Sequence, residues 1–117
     1  MMIKLAVIVA LMMTVASGGV SAGDNKGKTC LAEAMYYEAR DQGWRGMLAV
    51  GVVIQNRVRD SRYPGDVCSV VTQGKYWRGN PVRHKCQFSY YCDGKPERPA
   101  EKEAWTTALS IAELLLT

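Results

Sequence analysis

Four cysteines, Cys30, Cys68, Cys86 and Cys92, all follow an apolar leader, and no other feature limits the fold of this chain as much. An even cysteine count behind an export signal reads as disulfides formed in an oxidising compartment. Four cysteines allow three pairings. A short loop closes easily, which favours Cys86–Cys92 and leaves Cys30–Cys68 by elimination. Two such links stiffen a domain too small for a large core, each adding roughly 2–4 kcal/mol. Zinc is the competing use of cysteine. No pair has C-x-x-C spacing and His84 is the sole histidine, so neither a metal site nor another cofactor is expected.

The leader has three parts. Lys4 supplies a positive start, Leu5 to Ala16 is almost unbroken apolar sequence, and Val20-Ser21-Ala22 fits a small-x-small cleavage site. The apolar run is shorter than the roughly 20 residues that span a bilayer. A signal peptide is therefore expected over residues 1–22, with retention as an anchor the alternative. Removing it from 117 residues leaves a single domain of 95, residues 23–117, and losing Lys4 takes the formal charge from +4 to +3. That balance suits anionic envelope polymers, phospholipid surfaces or a merely solvated basic face. No clustered, aromatic-interleaved basic motif stands out, so no nucleic-acid partner is expected.

Along the mature part, Gly23 to Lys28 reads as a loose lead and Thr29 as the N-cap of a helix reaching about Arg40. A second helix is expected over Trp44 to Arg59, apolar almost all round at Met47 to Ile54, with Gly51 placed to let the first helix approach. Val67 to Val71 fits a short helix or a strand. Gln73 to Lys85 reads as a polar loop carrying Tyr76 and Trp77. Gln87 to Tyr91 has strand-like composition before the Asp93-Gly94 turn. A last helix is expected over Ala100 to about Leu116, with Trp105, Ala108, Leu109 and Ala112 inward.

One acid stands out. Helical spacing from Leu31 lands on Ala34, Met35 and Glu38, so Glu38 shares the apolar stripe while Glu33 points to the watery side. A carboxyl on the packed side is costly to ionise, so its pKa rises, and an acid still protonated near neutral pH can protonate a leaving group. A structural glutamate paired with Arg40 or Arg57 is the alternative. Asp41, Asp60, Asp66 and Asp93 read as turn or cap residues, and Glu101, Glu103 and Glu113 as a solvated helix face. With no evident second acid, the pattern suits a reaction in which the substrate supplies its own nucleophile. Ser69, Ser89 and Ser110 lack a G-x-S-x-G context, and no H-E-x-x-H occurs. Tyr36, Tyr37, Tyr76 and Trp77, with the segment Gln87-Phe88-Ser89-Tyr90-Tyr91, could line a sugar-binding cleft: rings stack on pyranose faces and amides bond hydroxyls. The plainer use of those aromatics is as core.

Certain segments follow one another in a telling order: Leu31-Ala32-Glu33-Ala34-Met35-Tyr36-Tyr37-Glu38-Ala39-Arg40, then Gly46 and Leu48-Ala49-Val50, then Asn56-Arg57-Val58. Tyr63-Pro64, Val67-Cys68-Ser69-Val70-Val71, Gln87-Phe88-Ser89 and Asp93-Gly94 complete the set. Taken together they resemble the SleB-type cell wall hydrolases, the spore-cortex-lytic family and its bacterial-envelope relatives. The resemblance implies a small lysozyme-like α+β domain, mostly helical with a short β element. It implies cleavage of the N-acetylmuramic acid–N-acetylglucosamine β-1,4 bond of peptidoglycan, by lytic transglycosylase chemistry. The family's catalytic glutamate falls on Glu38. Gln87 and Ser89 fall on its cleft, and Asn56 and Arg57 on a helix end that braces the site. The chain departs from the pattern at Asp41-Gln42-Gly43-Trp44-Arg45, at Met47 where a glutamine is common, and in lacking an expected segment beyond Thr117. The expected protein is thus an exported monomer of the periplasm, cell envelope or medium, with peptidoglycan as partner and no stable membrane insertion once the leader is cut. A muramidase using water, or an envelope protein that binds peptidoglycan without cutting it, are the alternatives.

Overall fold

The computed structural model describes residues 22–117. The leader expected over 1–22 lies, save Ala22, outside them. Helix α1 (Ala22–Ala39) is followed by a 3-10 turn over Arg40–Gln42 and by helix α2 (Gly43–Arg59). So short a connection lays the two helices side by side. Leu31, Ala34 and Met35 are fully buried on the predicted stripe. Gly51 is where α2 comes close: a Cβ there would sit 2.7 Å from Met35 Sδ and 2.6 Å from Leu115 Cδ1. Helix α4 (Lys102–Leu115) packs on both, through Ala108, Ile111 and Ala112. The short helix α3 (Val67–Val71) seals the core with Val70 and Val71. Asp66 caps it, accepting the Ser69 N–H at 2.9 Å.

A two-stranded antiparallel sheet completes a mostly helical α+β fold, formed by β1 (Gly74–Trp77) and β2 (Asn80–Cys86). The pairing runs Gly74 to Cys86, Tyr76 to Pro81 and Trp77 to Asn80, so that Lys75 faces a bulge of Val82 to Lys85. The connecting residues, Arg78 (φ 51°) and Gly79 (φ 80°), are both left-handed, the conformation of a two-residue hairpin turn. The cysteines pair as expected, Cys30 with Cys68 and Cys86 with Cys92, leaving no free thiol. The first bond ties α1 to α3. The second ties the end of β2 to a 3-10 turn over Ser89–Cys92. Among the described residues no helix is long and apolar enough to cross a membrane.

Four local expectations are corrected. Residues 23–28 are helical, and Thr29 is no cap: its hydroxyl donates to the Asn25 carbonyl one turn back, at 3.0 Å. This polar first stretch is tied down by Lys28, 3.5 Å from Glu113 of α4. Helix α2 is not buried all round, because α1 and α4 cover only the side of Met47, Gly51 and Ile54. Val52 and Val53 are 40% and 46% exposed. The expected polar loop is the hairpin. The strand-like Gln87–Tyr91 ends in the 3-10 turn, because Cys86–Cys92 draws its two ends together.

Candidate active site

Tyr36, Tyr37 and Glu38 lie in the last turns of α1, and each has a different surrounding. Tyr36 is fully buried, and its hydroxyl accepts the Glu101 N–H at 3.0 Å, fixing the start of α4. Arg40 lies over the Tyr36 ring at 5.5 Å and pairs with Glu101 at 3.3 Å. That interaction occupies the arginine which could have neutralised Glu38. Arg57 is occupied too, set over the rings of Tyr63 at 5.2 Å and Phe88 at 5.6 Å, where it braces the end of α2. Glu38 accordingly makes no ion pair or hydrogen bond among the described residues.

The expected exposures of the two glutamates are reversed. Glu38 is exposed, because the stripe that buries Leu31 and Met35 runs out at the end of α1. Glu33 is half-buried. The cover over Glu33 is tertiary: the 3-10 turn lays Tyr90 on Tyr37, one helical turn from Glu33, with ring centroids 5.0 Å apart and planes 17° apart. Partial desolvation pushes both carboxyls above the ordinary glutamate value, and for Glu33 the charge of Glu97 adds to it. The carbonyls at the end of α1 also oppose charge on Glu38. Burial raises the Tyr90 phenol strongly, and Glu33, Glu97 and Glu38 act on it in the same direction. Tyr37 is raised as well, first by desolvation, and its buried hydroxyl has no hydrogen-bond partner among the described residues. The result is a patch of two stacked phenols with three carboxyls in electrostatic reach.

The other expected site residues are spread out. Gln87 and Ser89 are exposed on either side of buried Phe88, next in sequence to Tyr90. The Gln87 N–H donates to the Gln73 carbonyl at 2.9 Å, which closes the base of the hairpin. Tyr76 and Trp77 stand on β1, where all four residues are exposed, and join neither Tyr37 nor Tyr90 in a ring contact. The Tyr76 hydroxyl donates instead to the Thr72 carbonyl at 2.5 Å. Sequence reasoning set Glu33 on the watery side and missed Glu97, while Tyr90 lay within the aromatic segment it singled out. The i, i+4 spacing of Glu33 and Tyr37 was the only local signal for either acid. A separate cavity of about 970 Å³ opens between the start of α1, α3 and the end of α4, lined by Lys26, Cys30, Val58, Asp66, Tyr91 and Glu113. Neither Glu33 nor Glu38 lines it.

The family model of the cell wall hydrolases matches residues 41–116. The match takes in α2, α3, the hairpin, the Gln87-Phe88-Ser89 turn and α4, and it begins three residues after Glu38. No curated protein and no solved structure gave a significant match. With well over half of its residues under that one model, the chain belongs to the cell wall hydrolase family.

Proposed function

We propose that the protein cuts the glycan strands of peptidoglycan at the N-acetylmuramic acid–N-acetylglucosamine β-1,4 bond, as a lytic transglycosylase with Glu38 as its acid and base. Cell wall hydrolases act on peptidoglycan, outside the cytoplasm, and the leader over residues 1–22 would carry the enzyme there. The observation that carries the proposal is the state of Glu38: exposed to a ligand, unpaired, and with its pKa raised by partial desolvation beside Tyr90. Glu38 gives its proton to the glycosidic oxygen as the bond to the muramic C1 breaks, leaving oxocarbenium character there. The carboxylate then takes the proton of the C6 hydroxyl as O6 bonds to C1. No water is consumed, and the product is a 1,6-anhydro sugar. Exposed Gln87 and Ser89 would bond the sugar. Tyr76 and Trp77 could touch the strand only farther out on the hairpin.

Half-buried Glu33 favours one second reading. A second carboxylate on the same helix could deprotonate a water that attacks C1, giving a free reducing end. Digestion of purified sacculi followed by mass spectrometry separates the two. Anhydro-muropeptides that fall at least a hundredfold in Glu38→Gln support transglycosylation. Reducing ends lost in both Glu38→Gln and Glu33→Gln support hydrolysis. Undiminished release by Glu38→Gln sinks both.

A further inference from the structure

The positive charge of this protein is concentrated in one place. Between Gly74 and Cys86 stand Lys75, Arg78, Arg83 and Lys85, with His84 and no acid. The chain has fifteen Lys and Arg, so eleven remain elsewhere, and they are balanced by all eleven Asp and Glu. The whole formal excess of +4 therefore resides on the β1–β2 hairpin, not on a diffuse basic surface. All five basic side chains are exposed there, and none forms an ion pair among the described residues. Three of them, Arg83, His84 and Lys85, belong to the bulge opposite Lys75, with His84 left-handed at φ 63° and the exposed Arg83 guanidinium against Gly94.

Two large aromatics share the same arm. Trp77 is 69% exposed and Tyr76 47%, and β1 buries no side chain. A two-stranded sheet without a buried face gains little from packing. This one is held at its base instead, by Cys86–Cys92 and the Gln87–Gln73 backbone bond. The Arg78 guanidinium lies 5.6 Å over the Trp77 ring, which occupies one face of the indole and leaves its edge and other face outward. An amphipathic ring at the tip, flanked by unpaired cations, matches the chemistry of an anionic bilayer surface: indole and phenol settle at headgroup level while Lys and Arg meet phosphate. A pyranose stacks on one ring face and does not call for four cations. An enzyme of the cell envelope also works beside such a bilayer.

We propose that the hairpin Gly74–Cys86 docks the protein on an anionic phospholipid surface, with Trp77 at the headgroup level and Lys75, Arg78, Arg83 and Lys85 on lipid phosphates. The contact is peripheral and reversible, and each cation near an anionic surface strengthens partitioning about fivefold.

The test uses the full chain, so the readout must be specific to the hairpin whether or not the leader is retained. Tryptophan fluorescence is measured on vesicles of brominated phosphatidylcholine with and without 30 mol% phosphatidylglycerol. Expected is quenching that requires phosphatidylglycerol, disappears in Trp77→Phe, weakens at least tenfold in lipid concentration for the double variant Lys75→Glu/Arg78→Glu, and is relieved by salt. The exposed positions should leave the unfolding midpoint of each variant unchanged, which excludes misfolding as the cause. Quenching equal in Trp77→Phe and the parent overturns the proposal. So does quenching indifferent to the two charge reversals, or retention on purified sacculi that those reversals abolish while the bilayer leaves Trp77 unquenched. That last result would assign the arm to the wall polymer.

Discussion

Glu33 and Glu38 lie five residues apart on α1, and both hold their protons more tightly than a free glutamate, chiefly through desolvation. A carboxyl whose pKa is raised by folding binds more protons in the native than in the unfolded state between its ordinary value and its raised one. Stability therefore falls as pH rises through that interval. Glu33→Gln removes the ionisation and should be more stable than the parent at pH 7, with the gain gone at pH 3, below the ordinary value of 4.5. Urea midpoints at the two pH values check it, and a gain equal at both would place the effect elsewhere. In the proposed mechanism Glu38 bears on the rate as well. Because the proposed bond cleavage uses its protonated form, kcat/KM for sacculus cleavage should decline on an alkaline limb lying above 4.5. The burial of Leu31, Ala34 and Met35 was legible in their spacing, whereas the exposure of Glu38 was not, because the cover ends with α1. Nor was the partial burial of Glu33, since the turn that carries Tyr90 comes from far along the chain and no helical spacing reports it.

Among the elements, the helices announce themselves through apolar spacing wherever they pack, and stay silent where they do not. Leu31, Ala34 and Met35, then Met47, Gly51 and Ile54, then Ala108, Ile111 and Ala112 all fall on interfaces. The first turns of α1 are polar and were invisible to periodicity. The hairpin hid for another reason: β1 has no buried face to impose alternation, and its turn uses Arg78-Gly79 in place of the Asn-Gly or Asp-Gly that marks such turns. Gly51 is the most exacting contact between helices. Any side chain there meets Met35 Sδ and Leu115 Cδ1 at under 3 Å, although both are movable ends of flexible side chains. Gly51→Ala gains about 1 kcal/mol of helix propensity to offset the shift and should stay near the parent. Gly51→Val adds bulk that the junction of α1, α2 and α4 lacks room for, and should cost about 1–3 kcal/mol in urea unfolding. Equal stability of the two variants would show that α4 moves aside freely.

Across the whole molecule the two disulfides do different work, though the sequence presented them alike. Cys30–Cys68 spans 38 residues and Cys86–Cys92 spans 6. Loop-closure entropy gives about 4 kcal/mol for the first and about 2 kcal/mol for the second. The first joins α1 to α3, the helix that seals the core, so Cys30→Ala/Cys68→Ala should lower global stability by close to its full share. The second sits outside the three-helix packing and fixes the 3-10 turn that lays Tyr90 on Tyr37, together with the base of the basic hairpin. Cys86→Ala/Cys92→Ala should therefore cost no more than about 2 kcal/mol in urea unfolding, yet remove most muropeptide release and most bilayer quenching of Trp77. Hydrogen exchange should show faster amides at 74–92 and unchanged ones in α1, α2 and α4. A variant that keeps both activities would mean that Phe88 and Tyr90 seat the turn by packing alone. Loss of both beside an intact helical core would mean that one covalent hinge orients the glycan-cutting patch and the membrane-facing arm against the same three helices.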